Sequence, residues 1–379
     1  MCPCLMRPLK TGCDKTLAMP TIKDVAMLAG VGIGTASRAI SGKGAVSAVA
    51  LERVRGAVRT LDFHPSRVAR ALSSRSQGMV GVYVPTFEGT FFAPILQAID
   101  GELRAGNHHM VAASNFGQGP RSEKSLNGIR FLVDRECDGI LAVDSYVLSE
   151  DLLQLRKRVR HFVVMNRMVK GLEDHCFSVD HEAAGRLAAR ALLAQGHRDI
   201  AVMHSLRHDQ NVTARVAGFN HELGLHGLQP TAEFIIDGLL TFTNAWDKAG
   251  VIVGLAHRPF TALFCVSDVL AMATLSRLQA AGIRVPQDLS MLGYDDAELA
   301  AYTSPALSTI RIPSTQVAAN ACRHLINLCY GAGLSVQRNF DSEVVLRHSL
   351  APGPHRPMAP VSSISSTFST SSQEAVPVT

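Results

Sequence analysis

The chain has 379 residues, 47% of them apolar and 18% charged, enough to bury an ordinary core and to form about two or three domains. No run of about 18 apolar residues occurs, which argues against a membrane-spanning helix, and residues 1–18, MCPCLMRPLKTGCDKTLA, lack the apolar block of a secretory signal. Net charge is +5, yet residues 19–78 alone hold 9 Lys+Arg against 3 Asp+Glu; basic charge is gathered in one segment, as phosphate binding requires.

The first patterned segment is TIKDVAMLAGVGIGTASRAI. Thr21 suits a helix N-cap, its hydroxyl accepting a free backbone N–H, and is a candidate phosphate contact at a helix N-terminus. Ile22, Val25, Ala26, Leu28 and Ala29 follow as an apolar face at helical spacing. Gly30-Val31-Gly32 supplies the permissive backbone of a tight corner. Helical periodicity restarts over residues 33–40, with Ala36, Ala39 and Ile40 inward and Ile33, Gly34, Ser37 and Arg38 outward. Two helices about a tight turn predict a helix-turn-helix, whose second helix enters the major groove. Arg38 is then the candidate for bidentate pairing with guanine, and Ile33 for contact with a thymine methyl. A small helical hairpin with a solvated Arg is the bland alternative.

A third helix is expected over residues 47–61, with Val49, Val54 and Val58 on its inner side. Pro65 then suits a first helical turn, and residues 66–75 interleave Arg67, Arg70 and Arg75 with Val68, Ala69, Ala71 and Leu72. So short a helix is marginal alone in water. It should order only against a surface, and basic residues around an apolar wedge suit the minor groove. Arg67, Val68, Ala69, Leu72 and Ser73 are the candidate hinge residues.

From residue 79 the pattern alternates. Apolar runs at 80–84, 109–113, 139–143, 161–165, 177–179, 200–204, 234–236, 262–266 and 289–293 suit buried parallel strands. Amphipathic helices fall between most of them, among them 92–105, 151–159, 181–195 and 268–281. The alternation predicts doubly wound parallel sheets, two for this length. Polar residues directly after an apolar strand are the candidate cleft residues: Asn166, Ser267, Asp268 and Asp295. Asp268 is equally suited to capping the helix that follows. No nucleophile elbow, phosphate loop or His-Glu-x-x-His motif accompanies the fifteen His residues, and neighbouring carboxylates at Asp295-Asp296 do not by themselves make an acid/base dyad. Cys2, Cys4 and Cys13 lack partners at zinc-ligand spacing, so no metal and no cofactor is expected. Cys137, Cys176, Cys265, Cys322 and Cys329 lie in apolar segments and read as reduced core thiols of a cytoplasmic protein.

The strings TIKDVAMLAGV, TASRAIS, HPSRVARALSS, LAQGHRDIAVM, RVAGF, RVPQDLSMLGYDD and PALSTIRIP, in this order, resemble the lactose/galactose repressor (LacI/GalR) family from Thr21 to about Ser349. The resemblance implies a small helix-turn-helix domain (residues 19–64), a hinge (65–78) and a two-lobed periplasmic-binding-protein-like sensor (79–350). Its lobes are implied at about 79–178 plus 309–340 and 179–308 plus 341–350, with crossings near Ser178, Ser308 and Asp341. Residues 1–18 are then a disordered leader or a mis-set start, and 351–379 a disordered Ser/Pro-rich tail. Ile33, Gly34 and Arg38 take operator-specificity positions, and Leu72 that of the leucine wedged between central base pairs. Val68 and Ala69 sit where hinge helices meet each other or the groove. Arg215 takes the place of a cleft arginine that grips ligand, and Asp295 that of a hydroxyl-binding aspartate.

An acceptor carboxylate facing a forked donor suits a polyhydroxylated ring, and Phe91 or Phe92 could wall its C–H face. Trp246 could do the same, though the family's helix pattern places it in the core. The chain departs from the family at Gly32, where Ser is frequent, at Ala50-Leu51, where Thr-Arg is frequent, and at Gly34, which offers no side chain to a base. Asp209 stands where the purine-responsive branch has a second arginine, which disfavours a purine effector; NRMVKGLEDHCFSVD leans toward the galactose-repressor branch. The implied partners are a near-palindromic double-stranded operator, a sugar or sugar-derivative effector and a second copy of the chain. A dimer is the default, since the tail has no leucine heptads. The rival readings are an architectural DNA-binding protein without a sensor role and a sugar-binding protein without a regulatory one.

Overall fold

The computed structural model describes residues 20–42, 44–63, 77–205, 209–237 and 240–355, and its chain divides into two compact units at residues 77 and 78. The proposed hinge residues Arg67, Val68, Ala69, Leu72 and Ser73, and the leader at 1–18, lie outside the described residues.

The first unit is built on three helices, α1 (Ile22–Ala29), α2 (Ile33–Ser41) and α3 (Ala48–Thr60). Thr21 caps α1 through Asp24, whose carboxylate accepts both the Thr21 N–H and the Thr21 hydroxyl at 2.7 Å. Gly30 ends α1 in the left-handed region at φ 61°, and Arg53 of α3 donates to its carbonyl at 3.1 Å. The positive φ favours glycine at position 30, and a Cβ there would push the end of the Arg53 side chain off the carbonyl. Val25, Ala26, Ala29, Ala36, Val54, Ala57 and Phe63 form the core.

Two expected core residues are not in it. Leu28 is exposed because it lies on the flank of the stripe formed by Ile22, Val25, Ala26 and Ala29. Val49 is 70% exposed: the inward face of α3 runs through Val54, Ala57 and Val58, and a residue five positions before Val54 points to the opposite side.

The second unit holds two sheets. The first has the order β2-β1-β3-β4-β5 and is parallel throughout, from β1 (Met79–Tyr83), β2 (His109–Ala113), β3 (Gly139–Val143), β4 (Phe162–Met165) and β5 (Cys176–Phe177). Its helices are α4 (Phe92–Ala105), α5 (Arg121–Asp134) and α6 (Ser149–Arg158). The second sheet has the order β11-β10-β9-β8-β6-β7. It comprises β6 (Ile200–Ser205), β7 (Ala232–Ile236), β8 (Ala262–Cys265), β9 (Ser290–Asp295), β10 (Ser308–Arg311) and β11 (Glu343–Val345), with α7 (His181–Ala194), α8 (Gln210–Leu225), α9 (Phe242–Val253) and α10 (Asp268–Ala280). It is parallel except at one edge, where β11 pairs antiparallel to β10 with Thr309 opposite Val345.

The chain passes between the sheets three times. It leaves the first between β5 and α7. It returns after β10, not at Ser308, which is the first residue of that strand and belongs to the second sheet. Helix α11 (Ser314–Tyr330) then packs on β3, β4, β5 and α4, tied by a two-pronged Arg323 to Glu102 pair at 2.8 and 2.7 Å. The third passage brings β11 to the second sheet. Residues 351–355, expected in the tail, are instead held against the turn after α7: Gly353 N donates to Gln195 O at 2.7 Å and His197 Nε2 meets Ala351 O at 3.0 Å. Cys176, Cys265 and Cys322 are buried free thiols, while Cys137 and Cys329 are free and only half-buried, at the margins of the core.

Candidate operator-reading helix and effector cavity

Helix α2 presents Ile33, Gly34, Ser37 and Arg38 to solvent while Ala36 faces the core. Ile33 is 48% exposed, an apolar side chain left half open to solvent. The Arg38 guanidinium lies 3.5 Å from the Thr35 hydroxyl one turn back, a steering contact that periodicity alone does not reveal. Gly32 is the N-cap of α2, with extended backbone (ψ 151°) and no side-chain hydrogen bond.

In the second unit a cavity of about 860 Å³ opens at the carboxyl ends of both sheets, the place where open α/β sheets take ligands. Phe91, Phe92, Asn166, Arg215, Ser267 and Asp295 all line it. Asn166 directly follows β4 and Asp295 ends β9, both with positive φ, 76° and 114°, uncommon for residues with a Cβ and concentrated at functional sites. Phe91 and Phe92 stand edge to face at 5.1 Å and back onto the core.

Arg215 is 5% exposed. Its Nη1 donates to the Val266 carbonyl at 2.8 Å, its Nε faces His181 Nδ1 at 3.4 Å, and its guanidinium lies 3.9 Å over the Tyr294 ring. Tyr294 donates to His181 Nδ1 at 2.8 Å. Burial holds His181 well below its ordinary pKa, and because Arg215 Nε can only donate, the neutral ring accepts at Nδ1. The arginine is thus fixed before any ligand arrives. What lets it stand there is a close crossing of α7 and α8: Gly185 lies against the Arg215 carbonyl and Gly218 against the Glu182 carbonyl, and a Cβ on either would overlap backbone.

Burial raises the Asp295 carboxyl to about 7, against the pull of Arg215. Its neighbour Asp296 turns away to Arg311 at 2.6 Å and Arg347 at 2.7 Å, so the two carboxylates serve different partners, as adjacent residues at a strand end must. Asp268 departs from the ligand-contact expectation. It is fully buried and does not line the cavity; its oxygens accept from Ala297 N and the Thr309 hydroxyl, both at 2.7 Å. Nor does it cap the helix: Ser267 does, accepting from Leu270 N at 3.4 Å. Trp246 stays outside the cavity, half-buried beside Arg277 at 5.1 Å.

Asp209, read in the sequence as disfavouring a purine, also lines the cavity, and so do Tyr146, Asn211 and Arg121, which the sequence did not single out. Asp209 caps α8, accepting from Asn211 N at 2.9 Å and Val212 N at 3.3 Å. Asn211 is 4% exposed and its Nδ2 has no acceptor among the described residues. A strand-end rule misses them because they sit at a helix start or within loops.

Residues 21–66 match the bacterial regulatory proteins of the lacI family, and 189–350 a periplasmic binding protein-like domain. The transcriptional repressor PurR of Vibrio parahaemolyticus is 34% identical over 310 residues, 81% of this chain and 91% of its own length. This chain belongs to the LacI family. The regulator GalR of Escherichia coli K12 is 30% identical over 341 residues, 88% of this chain and 96% of its own. A LacI-family regulator from Burkhoderia phymatum, solved by crystallography, is 36% identical with TM-score 0.69, covering 72% of this chain and 99% of its own. This LacI-family protein is an effector-controlled, DNA-binding transcriptional regulator and not an enzyme. Among the described residues no helix is long and apolar enough to cross a membrane.

Proposed function

We propose that this LacI-family protein is a cytoplasmic repressor that binds a near-palindromic operator as a homodimer and is switched by a sugar or sugar derivative. The observation that carries the effector class is the prearranged Arg215, held by Val266, His181 and Tyr294 at one wall of a cavity that also offers Asp209, Asn211 and Asp295. Donors and acceptors placed together suit vicinal hydroxyls, which both donate and accept, and Phe91 and Phe92 supply an apolar wall. Asp209 would repel the electron-rich edge of a purine, which supports a carbohydrate and the galactose-repressor lean. On the DNA side, α2 enters the major groove with Ile33, Ser37 and Arg38 toward base edges and Gly34 allowing close approach. Thr21 meets phosphate. Arg67, Val68, Ala69, Leu72 and Ser73 form a hinge helix that folds in the minor groove, with Leu72 as wedge. Effector alters the angle between the lobes and with it the cost of ordering the two hinges, so affinity for operator and for effector are linked reciprocally.

Two variants test this reading by fluorescence anisotropy on operator DNA. Leu72→Ala should lose specific affinity and keep salt-dependent non-specific binding; unchanged specific affinity refutes the wedge. Arg215→Ala should bind operator as the wild type does and lose its response to effector; a normal response refutes the cavity assignment.

A further inference from the structure

The walls of the cavity differ in charge. On the second lobe the carboxylates of Asp209 and Asp295 flank Arg215, whereas the first lobe contributes Arg121 and Lys124 from the opening turn of α5. These two cations are three positions apart and therefore share a helix face. The Arg121 guanidinium lies 4.4 Å over the Tyr146 ring, which fixes its plane toward the cavity. The Tyr146 hydroxyl stands between the Arg121 guanidinium and the Asp209 carboxylate, so Arg121 is only partly balanced. Elsewhere in this unit Arg167 is paired with Asp144, Arg190 with Glu222, Arg323 with Glu102 and Arg347 with Asp296. Glu88 on the same wall and Glu123 in the same opening turn of α5 are both exposed, and Glu123 does not line the cavity. Two like charges one turn apart repel each other, and the backbone N–H groups at the start of a 14-residue helix add to the positive potential.

We propose that the effector is an acidic carbohydrate, its phosphate or carboxylate held by Arg121 and Lys124 and its hydroxyls by Arg215, Asp295 and Asn211. This rests on the carbohydrate reading above and specifies it further. Arg121 and Lys124 offer two cations beside the single carboxylate of Asp209, whereas at the other wall Arg215 stands alone between Asp209 and Asp295, so the acidic group favours the first lobe. Such a ligand spans both lobes, so its two ends set the inter-lobe angle, which a neutral sugar held at one wall does less well.

The test is isothermal titration of the full-length protein with matched sets: glucose, glucose 6-phosphate and glucuronate; galactose, galactose 1-phosphate and galacturonate; fructose and fructose 1-phosphate. At least one acidic member should bind about tenfold or more tighter than its neutral parent, the scale of one charge-assisted hydrogen bond. Phosphates against uronates separate the two sources of the acid. Arg121→Gln and Lys124→Gln, both partly exposed and expected to fold, should each erase most of that margin, weakening the acidic member several-fold more than its neutral parent. Neutral sugars binding as tightly as their acidic partners, or a margin that survives both variants, overturns the acidic effector alone. Binding by no member of any set overturns the carbohydrate reading and this inference with it.

Discussion

The two units of this LacI-family protein hold their working residues in opposite ways. On α2, Ile33, Ser37 and Arg38 face water over a core largely of alanine and valine, with Thr35 beneath the Arg38 guanidinium. In the sensing unit Arg215 is buried and already bound on three sides before ligand enters. A rigid duplex supplies its own order, so a reading head needs only presentation. A small flexible molecule does not, so the protein must bring the preorganisation.

That contrast breaks first at the helix crossing. Gly218→Ala should destabilise the sensing unit by about 3 kcal/mol, because the added methyl meets the Glu182 backbone, which cannot move aside cheaply. Thermal unfolding measures it, and an unchanged Tm would mean the crossing does not set the site. Next comes Arg38→Ala, expected to cost about 2 kcal/mol, or about thirtyfold in operator Kd, with non-specific binding retained. An equal loss on random DNA would make Arg38 a phosphate contact.

The third prediction concerns pH. Asp295 titrates near 7 in the folded chain but near 4 in the unfolded one, so the folded state holds a proton the unfolded state releases. Its stability contribution is complete below the unfolded value and is lost as pH rises to about 7. Asp295→Asn should therefore flatten the fall of Tm over that window. Asp144, raised to about 6 by burial, leaves a residual slope in the variant. A slope identical to the wild type's would place the proton elsewhere. The smallest effect belongs to Gly32→Ser. Nothing lies within 4 Å of a Cβ there and the backbone already has N-cap geometry, so a few tenths of a kcal/mol of stabilisation should appear in the first unit.

The same contrast decides what the sequence made legible. Helical spacing alone placed Ala36 inside and Arg38 outside, because both facts are local to α2. It failed at Leu28 and Val49, where an apolar residue sits just off the stripe and only the partner helix decides. Strand-end polarity found Asn166 and Asp295, while Arg215 needed the family pattern, since it lies mid-helix. Asp268 satisfied the same strand-end rule and proved structural. Its oxygens answer Thr309 and Ala297, 41 and 29 residues away, and no local pattern carries that information. Asn211 and Tyr146 gave no signal, being a helix start and a loop whose function exists only once two sheets face each other.

The path of the chain has a temporal side. Helix α11, which covers β3, β4 and β5, is encoded after nearly all of the second sheet, so a ribosome that has released β5 has made a half-dressed layer with an apolar flank showing. That flank stays uncovered for more than a hundred further residues of synthesis, through β10, and neither lobe corresponds to a continuous stretch of gene. Truncation between residues 178 and 313 should therefore yield a species prone to aggregation or chaperone capture, not a working half.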